Sequence, residues 1–337
     1  MILSDVAVAN TLRLPAVAAH YVLLQRLDDL ADVLTQAQRH RWPLTVVGEG
    51  SNLVLRSNLP GLVIRPAMRG MQVVEQSGAD TLIECQAGES WDTLVRWSLA
   101  QGLAGLENLS LIPGSVGAAP FQNIGAYGVE LADLFDSLEA CSLDTGERRR
   151  FSLQECCFGY RDSLFKTAEP GRWLIASLRL RLSRHRPLAL GYADLQARFE
   201  ALPREQHTAS GLRELICALR RSKLPDPAEL ANAGSFFKNP VISASHRQRL
   251  LQQYPDMVSY LLPDGRFKLA AGWLIERAGW KGKRMGELGM HASQALVLAN
   301  YGAASGEQVL AFADQVRRSV QHLFDVVLEQ EPVILPR

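Results

Sequence analysis

The chain has 337 residues, 47% of them apolar and 21% charged, with a formal net charge of +1. That length suits two ordinary domains, each with its own core, and the near-zero charge offers no field to steer nucleic acid or an anionic membrane. No apolar run approaches the roughly 18 residues of a membrane helix. Five cysteines (Cys85, Cys141, Cys156, Cys157 and Cys217) contain no Cys-x-x-Cys, and the seven histidines stand singly. Neither a disulfide framework nor a zinc site is expected, and no metal. Asp5 lies where a signal peptide would carry positive charge, so a cytoplasmic location is expected.

From the N-terminus, β-type runs over 21–27 and 44–47 bracket a helix over 28–40, whose Leu30, Val33, Leu34 and Ala37 share a face. This reads as a compact β-α-β unit. After Gly61-Leu62-Val63-Ile64, a hairpin-like region of alternating apolar residues leads to a helix over 91–100 and then to a glycine-rich segment. Beyond it, 134–143 and 150–153 pair across the Asp144-Thr145-Gly146 turn, and 173–182 adds an alternating strand. The triplet Arg148-Arg149-Arg150 therefore reads as a solvated strand edge. Composition shifts at Ser183-Arg184-His185-Arg186-Pro187, taken as a domain boundary. Helices follow over 210–222, stopped by Leu224-Pro225-Asp226-Pro227, and over 306–324, where Val309, Phe312, Val316 and Val320 recur at helical spacing.

The segment from Gly105 to Gly128 is too rich in glycine for a helix and too apolar for disorder. Glycine lets backbone amides approach a ligand with no Cβ in the way, and proline fixes turns. Two readings stand: a cradle for a pyrophosphate-bearing cofactor, or a buried structural crossover. A second cluster, Val46-Val47-Gly48-Glu49-Gly50-Ser51-Asn52-Leu53-Val54-Leu55, breaks at its glycines and resumes as another β-type run. A dinucleotide fingerprint would open a helix here and needs glycine where Leu53 stands. There is no Gly-Lys-Ser/Thr either, so neither a Rossmann site nor a P-loop is indicated.

Gly48-Glu49-Gly50-Ser51-Asn52, Ile112-Pro113-Gly114-Ser115-Val116-Gly117 and Gln122-Asn123-Ile124-Gly125-Ala126-Tyr127-Gly128 resemble the flavin-binding loops of the UDP-N-acetylenolpyruvoylglucosamine reductase family of peptidoglycan synthesis. Three later features match as well: Gly159-Tyr160-Arg161-Asp162-Ser163, Asn232-Ala233-Gly234-Ser235-Phe236-Phe237-Lys238-Asn239-Pro240, and a carboxylate near the C-terminus. The resemblance runs from about Asn10 to Val333, and six motifs in order are far more specific than any one of them. It implies an α+β flavoprotein with an FAD-binding domain of the vanillyl-alcohol-oxidase (PCMH) type at 1–185, in two lobes of about 1–70 and 71–185. A C-terminal α+β substrate-binding domain follows at 186–337. The span holding Tyr254 and Tyr260 fits the subtype with a mobile substrate loop.

The resemblance further implies FAD as bound cofactor, NADPH as its reductant, and reduction of UDP-N-acetylglucosamine enolpyruvate to UDP-N-acetylmuramate. No nucleic acid, membrane or obligate protein partner is implied. Cofactor contacts carried over are Gly48, Glu49, Gly50, Ser51, Asn52, Pro113, Gly114, Ser115, Gly117, Asn123, Gly125 and Tyr127. Substrate contacts carried over are Tyr160, Tyr192, Lys223, Asn239, Tyr260, Lys281 and Gln294.

Reduction of an enolpyruvyl ether needs a hydride donor, stabilisation of the carbanion that develops beside the carboxylate, and an acid to protonate it. Reduced flavin is the implied hydride donor. Arg161 is the implied electrophile, since a guanidinium stays charged and grips a carboxylate with two parallel hydrogen bonds; on residue type alone a salt-bridge arginine at a hairpin end is the favoured reading. Ser235 is the implied general acid, helped by Lys238 or a helix-type dipole, though most Gly-Ser pairs are turn or cap residues. The carboxylate is Glu331 by alignment from the preceding helix. Leu328-Glu329-Gln330-Glu331-Pro332 departs from the family's proline spacing, and in a strand Glu329 and Glu331 face one side, so Glu329 is the alternative. Two other functions remain open: a flavin-dependent sugar or lactone oxidase on the same fold, which leaves 232–240 unexplained, and a nucleotide-sugar-binding module without catalysis, which would be colourless.

Overall fold

The computed structural model of the chain describes residues 1–336. The backbone divides into two compact units: Met1–Val6, Ala18–Glu49 and Leu59–Arg220 form the first; Ala7–Val17, Gly50–Asn58 and the residues from Arg221 onward form the second.

In the first unit the β-α-β expectation holds with shifted limits. Strand Val17–Leu24 runs parallel to Leu59–Pro66, which runs parallel to Leu44–Val46, with Ile2–Ala7 on the far edge. The first strand starts at Val17 rather than Tyr21, because Ala18, Val22 and Leu24 are the residues that alternate into the core. Its expected end at Leu27 is already a 3-10 turn, Leu27–Asp29, opening helix Leu30–His40. That helix sets Leu30, Val33 and Ala37 on Val22, Leu24, Leu62 and Ile64, each large aliphatic side chain so buried contributing roughly 1.5–3 kcal/mol.

A second sheet of this unit is fully antiparallel, in the order Arg148–Ser152, Phe135–Ser142, Trp173–Ser183, Asp80–Gln86, Met71–Ser77. The expected turn joins the first two strands, and Arg148 and Arg149 on that edge pair with Asp28 and Glu155, so the arginine triplet is a solvated edge. Helix Trp91–Ala100 has the limits expected and buries Trp91, Leu94 and Val95 against Ile83, Leu138 and Leu178. Its Trp91 Nε1 donates to the Leu109 carbonyl at 3.0 Å, which pins the glycine-rich segment to the core. That segment is a chain of 3-10 turns, Glu107–Leu109, Val116–Ala118 and Pro120–Gln122, closed by a two-residue hairpin, Gly125–Ala126 with Val129–Glu130. Leu106, Leu109, Val116 and Leu131 are fully buried, so it is a structural crossover in its own right.

In the second unit, strands Ala231–Ser235, Val297–Asn300, Leu288–Met290 and Arg284–Met285 form an antiparallel sheet. A smaller sheet pairs Val241–Ile242 and Ser259–Leu261 with Phe267–Leu269. The expected helix Gly306–Phe324 is capped by a Ser305/Gln308 capping box and buries Val309, Phe312, Val316, Val320 and Phe324. The C-terminal strand Val333–Leu335 lies parallel to Leu53–Leu55. The fold is thus α+β, each unit combining sheets with helices. Among the described residues no helix is long and apolar enough to cross a membrane, and no group of three or more His, Cys, Asp or Glu is placed to hold a metal ion.

Candidate active site

Two glycine-bearing loops of the first unit touch each other. A Cβ on Gly48 would sit 2.9 Å from Ser115 Oγ and 3.3 Å from Ala118 Cβ, so the strand end at Val46–Gly48 lies flush on the 115–118 turn. The amides of Val116 and Gly117 are already bonded, to Glu89 O at 2.8 Å and Ala87 O at 2.9 Å. They cannot also cradle a diphosphate. The glycine pattern is explained in part by chain packing: a Cβ on Gly117 would meet Ala87 Cβ at 2.6 Å. The buried Asn123 side chain donates to Glu130 Oε2 (2.7 Å) and Gly159 O (3.1 Å) and accepts from Ala132 N (3.0 Å), which ties the glycine-rich segment to the turn that carries Arg161.

Arg161 sits in that turn, where Gly159 and Asp162 exchange backbone hydrogen bonds at 3.0 and 3.2 Å, and its own φ of 55° is left-handed. A non-glycine residue held there costs of order 1 kcal/mol, a strain found disproportionately at functional sites. The guanidinium Nη2 donates to Gly125 O at 2.6 Å, and the group lies 5.4 Å over the Tyr160 ring. Position 125 must be glycine for this, since a Cβ would meet Arg161 Nη1 at 2.9 Å and Glu130 Cγ at 3.0 Å. Tyr127 and Tyr192 meet edge to face at 6.4 Å. Burial pushes the Tyr127 phenol above its ordinary range, opposed by the Arg220 charge.

In the second unit the segment bearing Ser235 runs antiparallel to the segment bearing Glu331. Glu331 N donates to Phe236 O (2.9 Å), Lys238 N donates to Glu329 O (2.8 Å), and Phe237 bridges to Gln330. Phe236 and Phe237 are buried and anchor the segment. One extra residue between Asn232 and Ser235 bulges the strand against its neighbour and leaves Ser235 half-buried. Lys238 Nζ is bound to Glu329 Oε1 at 2.5 Å, with the Glu329 side chain 71% exposed. The lysine expected to flank Ser235 is therefore neutralised by a glutamate, and Glu329 is committed to that pair. Gly50, Ser51 and Asn52 belong to this unit. Gly50 has φ +72°, and a Cβ there would fall 2.2 Å from Ala9 O. Asn52 Nδ2 donates to Glu331 O at 3.4 Å.

The remaining expected substrate contacts have the following surroundings. Tyr192 and Tyr260 are about half exposed, at 48% and 49%, and Lys223 is exposed at the end of helix Ala209–Lys223. Asn239 Oδ1 accepts from Ala271 N at 2.9 Å, Lys281 pairs with Glu276 at 2.8 Å, and Gln294 Oε1 accepts from Leu296 N at 3.4 Å.

The chain is 54% identical over 313 residues to the UDP-N-acetylenolpyruvoylglucosamine reductase of Pseudomonas aeruginosa, covering 92% of each chain. It belongs to the UDP-N-acetylenolpyruvoylglucosamine reductase family. The Alcanivorax borkumensis reductase is 49% identical over 333 residues, which is 99% of this chain and 95% of that one. Residues 226–335 match the family's C-terminal domain, and 18–152 match an FAD binding domain. A crystal structure of the reductase from Thermus caldophilus shares the fold along the whole of both chains, with a TM-score of 0.67 at 23% identity.

Sequence reasoning named Gly125, Asn52 and Lys238 but not the groups they meet, which are Arg161, the Glu331 carbonyl and Glu329. Gly125 O, Asn52 and Lys238 act through a carbonyl, an amide and an ion pair across 36, 279 and 91 residues. Only the last leaves a trace in the sequence, as a lysine directly after two phenylalanines.

Proposed function

We propose that the protein uses NADPH to reduce UDP-N-acetylglucosamine enolpyruvate to UDP-N-acetylmuramate in peptidoglycan precursor synthesis. The observation that carries the reading is the antiparallel pairing of the Ser235 segment with the Glu331 segment, in a chain that shares the family's sequence over nine tenths of its length. The FAD binding domain match spans the flush contact of Gly48 with Ser115. The residues proposed to meet the cofactor are Gly48, Glu49, Gly50, Ser51, Asn52, Pro113, Gly114, Ser115 and Tyr127. Gly117, Asn123 and Gly125 shape the loops.

Bound FAD, once reduced by NADPH, supplies hydride for the enolpyruvyl methylene carbon. Arg161 holds the substrate carboxylate, onto which negative charge spreads as the adjacent carbon becomes a carbanion, and a fixed guanidinium stabilises that charge more than it does the ground state. Ser235 Oγ delivers the proton to that carbon and recovers one from solvent afterwards. Glu331, rather than the lysine-bound Glu329, is the carboxylate that orients the proton donor. Tyr160, Tyr192, Lys223, Asn239, Tyr260, Lys281 and Gln294 are assigned to the UDP-sugar. The reading needs no macromolecular partner and belongs in the cytoplasm, where NADPH and nucleotide sugars are held.

The test is an assay of purified holoenzyme with NADPH, by absorbance, and UDP-N-acetylglucosamine enolpyruvate, by mass. Consumption of one NADPH per product carrying two added hydrogens supports the reading. A flavin that NADPH leaves oxidised, or that only oxygen reoxidises, contradicts it and favours an oxidase.

A further inference from the structure

Asn232 is 2% exposed, and its side-chain amide is almost completely used. Nδ2 donates to Pro225 O at 3.1 Å and Leu230 O at 2.8 Å, and Oδ1 accepts from Gly234 N at 2.8 Å. These bonds join two segments with different tasks. One is the Leu224-Pro225-Asp226-Pro227 loop that directly follows Lys223. The other is the bulged turn through Gly234, φ +69°, that presents Ser235. We infer that Asn232 is a positioning residue for the reduction, one buried amide fixing both the turn behind Ser235 and the loop behind Lys223. The inference rests on the assignment of Ser235 as proton donor.

The physical case is one of geometry. A glycine with positive φ at the centre of a bulge has many alternatives open to it, and the Asn232 Oδ1 bond to its amide selects one. The Pro225 loop is also gripped from outside, by Arg13 Nη2 donating to Pro227 O at 3.3 Å and to Ala228 O. Those bonds lie at exposed positions, whereas the bond from Asn232 is part-buried and comes from a side chain 2% exposed, so it is the stronger constraint.

The test uses the holoenzyme and stopped-flow measurement of the two half-reactions, flavin reduction by NADPH and flavin reoxidation by UDP-N-acetylglucosamine enolpyruvate. Asn232→Ala is expected to slow reoxidation about tenfold, the scale of one lost buried hydrogen bond, with reduction unchanged to within about twofold. Asn232→Asp keeps an acceptor for the Gly234 amide but loses both donors. It is expected to slow reoxidation less and to raise the half-saturating substrate concentration about tenfold. In a Ser235→Ala background, Asn232→Ala should slow reoxidation no further, because the two act as one unit. Equal slowing of both half-reactions, the same loss in both backgrounds, or failure of both Asn232 variants to hold flavin would overturn the inference. Reoxidation left intact by Ser235→Ala alone would instead show that the proton-donor assignment has failed, and the inference with it.

Discussion

Asn52 and Glu331 are hydrogen-bonded across 279 residues of sequence, Asn52 Nδ2 donating to the Glu331 carbonyl at 3.4 Å while Val333 N returns a bond to the Asn52 carbonyl at 3.0 Å. The parallel pairing of Leu53–Leu55 with Val333–Leu335 continues the contact. The last residue of a glycine loop and the C-terminal carboxylate therefore belong to one rigid piece of the second unit.

The two C-terminal glutamates should behave differently. Glu331→Gln is expected to cut single-turnover reduction of the enolpyruvyl substrate by about 100-fold or more with little change in substrate affinity, because its interaction matters where charge develops. Glu329→Gln loses only an ion pair whose acidic side is 71% exposed, a contribution within about 1 kcal/mol, and should retain turnover to within a few-fold. A loss at Glu329 with none at Glu331 would reverse the assignment.

Gly50 should fail on substitution for reasons of fold before any question of cofactor arises. Gly50→Ala places Cβ 2.2 Å from Ala9 O at φ +72° and should cost at least about 2 kcal/mol. Gly78→Ala, at φ +61° with nothing within 4 Å, should cost only about 1 kcal/mol. Urea denaturation of both compares them. Equal losses would mean that backbone conformation, not packing on Ala9, demands glycine at position 50.

Glu107 gives a pH signature. Burial raises its carboxyl pKa above the ordinary 4.5, against a hydrogen bond from Gly105 N at 2.6 Å and the Arg186 charge. A raised folded value means that its stabilising contribution is fully present below the unfolded pKa and is lost as pH rises through the folded one. Glu107→Gln, which cannot ionise, should therefore gain stability relative to the parent at neutral pH, and the gain should shrink as pH falls toward 4.5. Urea midpoints across that range measure it; a gain independent of pH would contradict the burial argument.

Cysteine reactivity should single out one residue. Cys157 is exposed while Cys85, Cys141, Cys156 and Cys217 are buried, and burial pushes the Cys156 thiol up to about 12. Native protein should take one equivalent of iodoacetamide, at Cys157, and denatured protein five. Peptide mapping that finds label on Cys156 in the native state would show that the segment opens.

Where a residue's fate is decided by its neighbours in sequence, it was legible. Helices Trp91–Ala100 and Gly306–Phe324 have the limits that periodicity predicts, because each carries an uninterrupted apolar face and, at Ser305, a capping box. The turn at Asp144-Thr145-Gly146 was legible for the same reason. The small strands 241–242, 259–261 and 284–285 were not, since two or three residues carry no period and form only because partners align them. The glycine loops were half legible. Their composition announced close approach, but only the fold distinguishes approach to a ligand from approach to Ala9, Ala87 or Arg161. The choice between Glu329 and Glu331 lay beyond pattern, because both face one side of a strand and the Lys238 partner of Glu329 lies 91 residues away in sequence.

The proton-donor role of Ser235 is the central claim, and stopped-flow analysis of Ser235→Ala tests it most directly. Flavin reduction by NADPH needs no proton at the substrate carbon and should proceed at close to the parent rate. Reoxidation by UDP-N-acetylglucosamine enolpyruvate should slow by at least about 100-fold, the scale of one general acid. Equal slowing of both half-reactions, or reoxidation at the parent rate, would contradict the account.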